Sequence, residues 1–129
     1  MAEDNEQFRQ RLFNTFLKEA DAQVLAISAL LARPDDERGQ EDVLTDLLRK
    51  IHSLKGAAGA VGQHQVELLC RSLEQVLHKV VRGERQADAE VFACLRHGIA
   101  LLEDGLPGIA GGGSFTISLQ FLESVRKLT

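Results

Sequence analysis

Residues 41–60 read EDVLTDLLRKIHSLKGAAGA. Within them Leu44, Leu47, Leu48, Ile51, Leu54 and Ala58 recur at steps of three or four, the spacing that collects side chains on one face of an α-helix. Glycines at 59 and 62 weaken the end of the pattern, and a turn is expected near Gly62. The next run, Val66, Leu69, Cys70, Leu73, Val76, Leu77 and Val80, has the same period and stops at Gly83, a residue type favoured just past a helix end. So short a link between two helices implies an antiparallel hairpin.

Outward from this hairpin the periodicity persists. Phe8, Leu12, Phe16, Ala20, Val24, Ile27 and Leu31 predict a first helix over residues 6–32, after which Pro34 and the polar run 35–39 read as a loop. The hairpin helices are expected over 41–60 and 64–82. Val91, Leu95, Ile99 and Leu102 place a fourth helix over 87–104, ending at Gly105 with Pro107 close behind. The AGGGS stretch at 110–114 reads as a flexible joint or bare turn. A last apolar pattern predicts a helix over 116–128, although Phe115 to Leu119 alternates as a strand does. The expected fold is all-α, an antiparallel four-helix bundle with an additional C-terminal helix, spanning residues 1–129 as a single domain.

Composition narrows the function. A chain of 129 residues, 44% hydrophobic and 26% charged, can bury a core without disulfides or metals. A net charge of −4 leaves no basic stripe for nucleic acid. The apolar runs are too short to span a membrane, and the acidic start MAEDNEQ is unlike a signal peptide, so a cytoplasmic location is expected. Cys70 and Cys94 sit inside helical apolar patterns, without Cys-x-x-Cys spacing, and are expected to be buried, reduced and inert. His64, His78 and His97 lack the i, i+4 spacing of a helical metal site, and no metal is expected. The glycines at 56, 59 and 62 follow a charged helix, not the hydrophobic strand that a dinucleotide loop requires.

The informative run is HSLKGAAG, residues 52–59. His52, Lys55, Gly56 and Gly59 share one helix face, which combines an imidazole, an ammonium and two residues without side-chain bulk. An ordinary solvated face avoids helix-weakening glycine, so something large is expected to approach. His52 falls roughly 80° around the helix from Leu44, at the border of core and solvent. An imidazole nitrogen there can attack phosphorus if its sister nitrogen is held as a donor, and Glu74, at a comparable border position on the antiparallel helix, is the candidate acceptor. Lys55, one turn from His52, can offset phosphoryl charge, while Gly56 and Gly59 leave room for a partner's rim. Nothing in the chain reads as an ATP or magnesium site, so the phosphoryl group must come from another domain.

HSLKGAAG followed by CRSLEQVL, eighteen residues after the histidine, resembles the histidine phosphotransfer (HPt) family over most of the chain. The continuation VVRGERQADAEVFACLRHGIALLEDGL is most similar to the N-terminal phosphoacceptor domain of chemotaxis histidine kinases, and the chain is expected to be a fragment of such a kinase. The resemblance implies phosphorylation of His52, with Lys55, Gly56 and Glu74 as companions, and donation to an aspartate of a response-regulator receiver domain. No cofactor is expected here; ATP and Mg belong to the separate kinase domain and the receiver. The docking footprint is expected to include Leu48, Gly56, Gly59 and Arg71. Arg71 stands where chemotaxis kinases often carry a second histidine, and it adds positive charge instead. The competing readings are a scaffold bundle without phosphoryl chemistry and the dimerisation domain of an ordinary sensor kinase, which Ser53 and Gly56 disfavour.

Overall fold

Among the described residues six helices follow one another: α1 (Ala2–Leu31), α2 (Asp35–Arg38), α3 (Glu41–Ala60), α4 (His64–Val81), α5 (Ala89–Ala110) and α6 (Leu119–Leu128). The computed structural model describes residues 2–129, with side chains from residue 4 onward. Helices α1, α3, α4 and α5 make the bundle and α6 packs on α4 and α5. The all-helical bundle with an added C-terminal helix is therefore the observed architecture. Among the described residues no helix is long and apolar enough to cross a membrane.

The stripes read from the sequence form the core. Leu47, Ile51, Leu54 and Ala58 of α3 are buried with Leu69, Leu73 and Leu77 of α4, Ala20, Val24 and Ile27 of α1, and Leu95, Ile99 and Leu102 of α5. The α3–α4 link is three residues, 61–63. Gly62 takes φ +76°, a left-handed conformation that glycine adopts without steric cost, and the Gln63 N–H returns to the Ala58 carbonyl at 2.9 Å. This stop fixes the antiparallel register of the hairpin. Both thiols are free and buried, and burial pushes Cys70 up to about 12 and Cys94 up to about 11.

Four local features differ from the sequence reading. Residues 35–38 form one helical turn inside the expected loop, with the Pro34 carbonyl accepting from the Glu37 and Arg38 N–H groups. Arg38 from that turn lies over the Phe92 ring, 4.8 Å from its centroid. The N-terminal part of α1 runs past the core, leaving Phe8 and Leu12 exposed although they fit its apolar period.

Helix α5 continues past Gly105 and through Pro107 to Ala110. Proline forfeits one helical hydrogen bond, but Pro107 and Glu103, whose carbonyl loses its partner, are both exposed to water. Leu106 and Ile109 bury the extra turn. Gly105 is a packing residue, because a Cβ there would run into the Phe115 ring. The true stop is Gly112 at φ +89°, with the Gly113 N–H bonded to the Gly108 carbonyl at 2.8 Å.

The last helix starts at Leu119 instead of 116. Phe115 and Ile117 are buried and Thr116 exposed, so the alternation marks an extended segment laid on the bundle. The Ile117 N–H donates to Gln65 Oε1 at 3.1 Å, and Ser118 Oγ caps α6 by accepting from the Phe121 N–H at 3.1 Å.

Candidate functional site

Packed antiparallel, α3 and α4 pair position 52 with 74 and position 59 with 67. His52 leans out from α3 with 68% of its side chain exposed, whereas the carboxylate of Glu74 is set into α4 with 7% exposed. The His52 Nδ1 to Glu74 Oε2 distance is 2.9 Å. Lys55, one turn along α3, brings Nζ to 2.5 Å from the other oxygen, Oε1. The Lys55 ammonium and the Glu74 carboxylate thus form a close ion pair.

The charge state of Glu74 decides the tautomer of His52. Burial raises the Glu74 pKa, but Lys55 and then His52 outweigh it, and the net effect holds the carboxyl below its ordinary value of 4.5. At neutral pH Glu74 is thus an anion that only accepts hydrogen bonds. Nδ1 must carry the hydrogen and donate it, which leaves the Nε2 lone pair facing solvent. An exposed imidazole nitrogen with a fixed tautomer is a nucleophile.

Because its folded-state pKa is lowered, Glu74 stabilises the fold at pH above the ordinary glutamate value, and this contribution is lost as pH falls through the lowered folded value. We therefore expect Glu74→Gln to be less stable than wild type at pH 7, by about 1–3 kcal/mol for a buried charge-assisted contact. The difference should shrink on acidification below 4.5. Urea melts of both proteins across that range check it; a pH-independent difference would remove Glu74's charge from the account.

The other expected residues separate into groups. Gly56 is exposed and a Cβ there would meet nothing within 4 Å, so open space lies beside His52. Gly59 is different: a Cβ would come 2.7 Å from Glu67 Oε2, so the space its missing side chain leaves is taken by the Glu67 carboxylate. Leu48 is half-buried against the core. Arg71 is exposed, with Nη2 3.9 Å from Glu67 Oε2. Sequence reasoning passed over Glu67, although its i, i+4 spacing to Arg71 and its register opposite Gly59 were both signals. It also passed over Arg49, which bonds Asp46 at 2.7 Å one turn before His52.

Comparison with known proteins bears on this geometry. The Hpt domain family matches residues 11–105, most of the chain. The chain belongs to the Hpt domain family. With membership comes the coarse role of histidine phosphotransfer in a two-component system. This Hpt domain is also similar to chemotaxis protein CheA of Halobacterium salinarum, 25% identical over 112 residues, 86% of this chain and 17% of that protein. Chemotaxis protein CheA of Treponema pallidum is 24% identical over 106 residues, 82% and 13% respectively. That of Listeria monocytogenes is 24% identical over 119 residues, 88% and 19%. The Hpt domain thus spans less than a fifth of the length of these relatives.

Proposed function

We propose that His52 is the phosphoacceptor, taking a phosphoryl group on Nε2 from a kinase domain and passing it to an aspartate of a response-regulator receiver domain. The observation that carries this reading is the 2.9 Å contact between Nδ1 of an exposed His52 and the buried, lysine-paired Glu74. The Nε2 lone pair attacks the γ-phosphorus of ATP held by the kinase domain, the N–P bond forms, and the P–O bond to ADP breaks. The ring then carries positive charge, which the Glu74 carboxylate offsets through Nδ1–H. In the second step an aspartate oxygen of the receiver attacks the same phosphorus, the N–P bond breaks, and its electron pair returns to Nε2. The phosphoryl group is never free, so the site need only be exposed and rigid.

Nucleotide and Mg are assigned to the kinase domain and the receiver. The open cleft lined by Glu41, Asp42, Thr45, Asp46 and Arg49 is rich in carboxylates, which repel nucleotide phosphates. The resemblance to CheA supports a chemotaxis histidine kinase as the parent protein and a chemotaxis regulator as the receiver. The proposed compartment is the cytoplasm, in keeping with two unpaired thiols.

The receiver docks over His52 with Gly56 inside the footprint and Leu48 at its apolar margin. Incubated with a cognate kinase domain and labelled ATP, the chain should gain an acid-labile, base-stable label that a receiver domain removes. A chain that never labels would end the proposal. Gly56→Trp should slow transfer to the receiver about tenfold by filling the open space, the loss typical of one blocked central contact. Its helical content by circular dichroism should not change, since Gly56 is exposed and a Cβ there meets nothing within 4 Å. Undiminished transfer would remove Gly56 from the footprint.

A further inference from the structure

Four cations lie within one turn of the His52–Glu74 pair, and they differ in how firmly they are held; Lys50 is bonded to Asp46 at 2.9 Å. Lys55 is committed to buried Glu74 at 2.5 Å. Arg49 is hydrogen-bonded to Asp46 at 2.7 Å. Arg71 has only Glu67 at 3.9 Å, the limit of an ion pair, and 55% of its side chain is exposed. The register that pairs 52 with 74 and 59 with 67 sets Arg71 across from Lys55, on the same face of α4 as Glu74 and three residues from it. On α3 Gly56 contributes no side chain, and a Cβ there would meet nothing within 4 Å, so open space lies beside Lys55 on the face that bears His52.

We propose that Arg71 binds the phosphoryl group once it is on His52, leaving Glu67 to do so. The inference rests on His52 being the phosphoacceptor. A phosphoryl group on Nε2 brings charge of about −2 and three acceptor oxygens to a site where Lys55 is already neutralised by Glu74. A guanidinium offers paired donors to such oxygens and outbids a distant, solvated contact with one carboxylate. Glu67 holds the resting position of Arg71, and Gly59 makes room for that carboxylate. His64, 3.6 Å from Glu67, shares the same acceptor. Arg71 is thus a phosphoryl-binding residue of the loaded carrier, idle in the resting one.

The test loads the chain with potassium phosphoramidate, whose P–N bond breaks as the bond to His52 forms and ammonia leaves. The second ionisation of the resulting phosphoryl group is followed by phosphorus NMR against pH. The charged groups around His52 are Asp46, Arg49, Lys50 and Lys55 of α3 and Glu67, Arg71 and Glu74 of α4, with Glu19 of α1 lining the cleft that holds Ser53. Removing a nearby cation destabilises the dianion, so Arg71→Ala should raise the midpoint by about half a unit to one unit, less at 1 M salt. Arg71→Lys should restore part of the shift, Arg49→Ala, a cation already held on Asp46, should raise the midpoint by clearly less than Arg71→Ala does, and Glu67→Gln should lower it by releasing Arg71. A merely structural role for Arg71 would move the melting temperature but not the midpoint. Equal midpoints for wild type and Arg71→Ala, or an equal rise in Arg49→Ala, would overturn the inference while leaving the carrier reading intact. Wild type that takes no label on His52 would overturn both.

Discussion

Changing His52 to glutamine should abolish phosphorylation of this Hpt domain by a kinase domain while leaving the bundle folded. Glutamine keeps a donor amide for Glu74 but has no basic nitrogen lone pair, because its amide nitrogen is delocalised into the carbonyl. The proposed nucleophile is therefore deleted with little change of shape. The cost to stability should stay within about 0.5 kcal/mol, as expected at a side chain that faces water. Its side chain is 68% exposed and it is not part of the hydrophobic core. Acid-labile label and thermal melts of the two proteins, measured side by side, check both halves. Label retained on the variant would show that another residue accepts the phosphoryl group, and a collapsed fold would show that His52 is structural.

Phe121→Ala should be among the most destabilising single changes outside the four-helix core, lowering stability by about 3–5 kcal/mol. For a chain of this size that is a fall of roughly 10–20 °C in Tm. Phe121 is fully buried, although it comes from the added helix α6. Its ring meets the His97 ring edge-on, with centroids 5.5 Å apart and planes at 87°. A Cβ on Gly98 of α5 would sit 3.1 Å from the tip of that ring and 2.8 Å from Leu73 of α4. Removing the ring would leave a void bounded by three helices that cannot all close in. Differential scanning calorimetry decides the matter. A change of less than about 1 kcal/mol would make α6 an appendage rather than part of the core.

Helix existence and the faces that turn inward were legible in residues 41–60 and 64–81, because a period of 3.6 with six or seven apolar residues admits one arrangement around a core. The pairing of His52 with Glu74 was legible too, since a three-residue link sets the register of the hairpin and both residues border its apolar stripes. Lys55 was read as a charge for the phosphoryl group. Packing instead turns it onto Glu74, where it keeps the acid ionised.

Local pattern by itself determined the five long helices, their order and the face bearing His52, because these follow from the spacing of neighbours along the chain. Whether a glycine is a stop, a gap or a packing surface was decided only by tertiary contacts. Gly105 looks like a helix end beside Pro107, yet it is where Phe115 lies, and Gly59 looks open yet lies under Glu67. The same holds for Phe8 and Leu12, which have core spacing but remain exposed, and for Phe115 to Ile117, whose alternation marks an extended strap on the bundle. The physical reason is common to these cases: hydrogen-bond periodicity is a local property, whereas the occupant of the space beside a residue comes from distant parts of the chain.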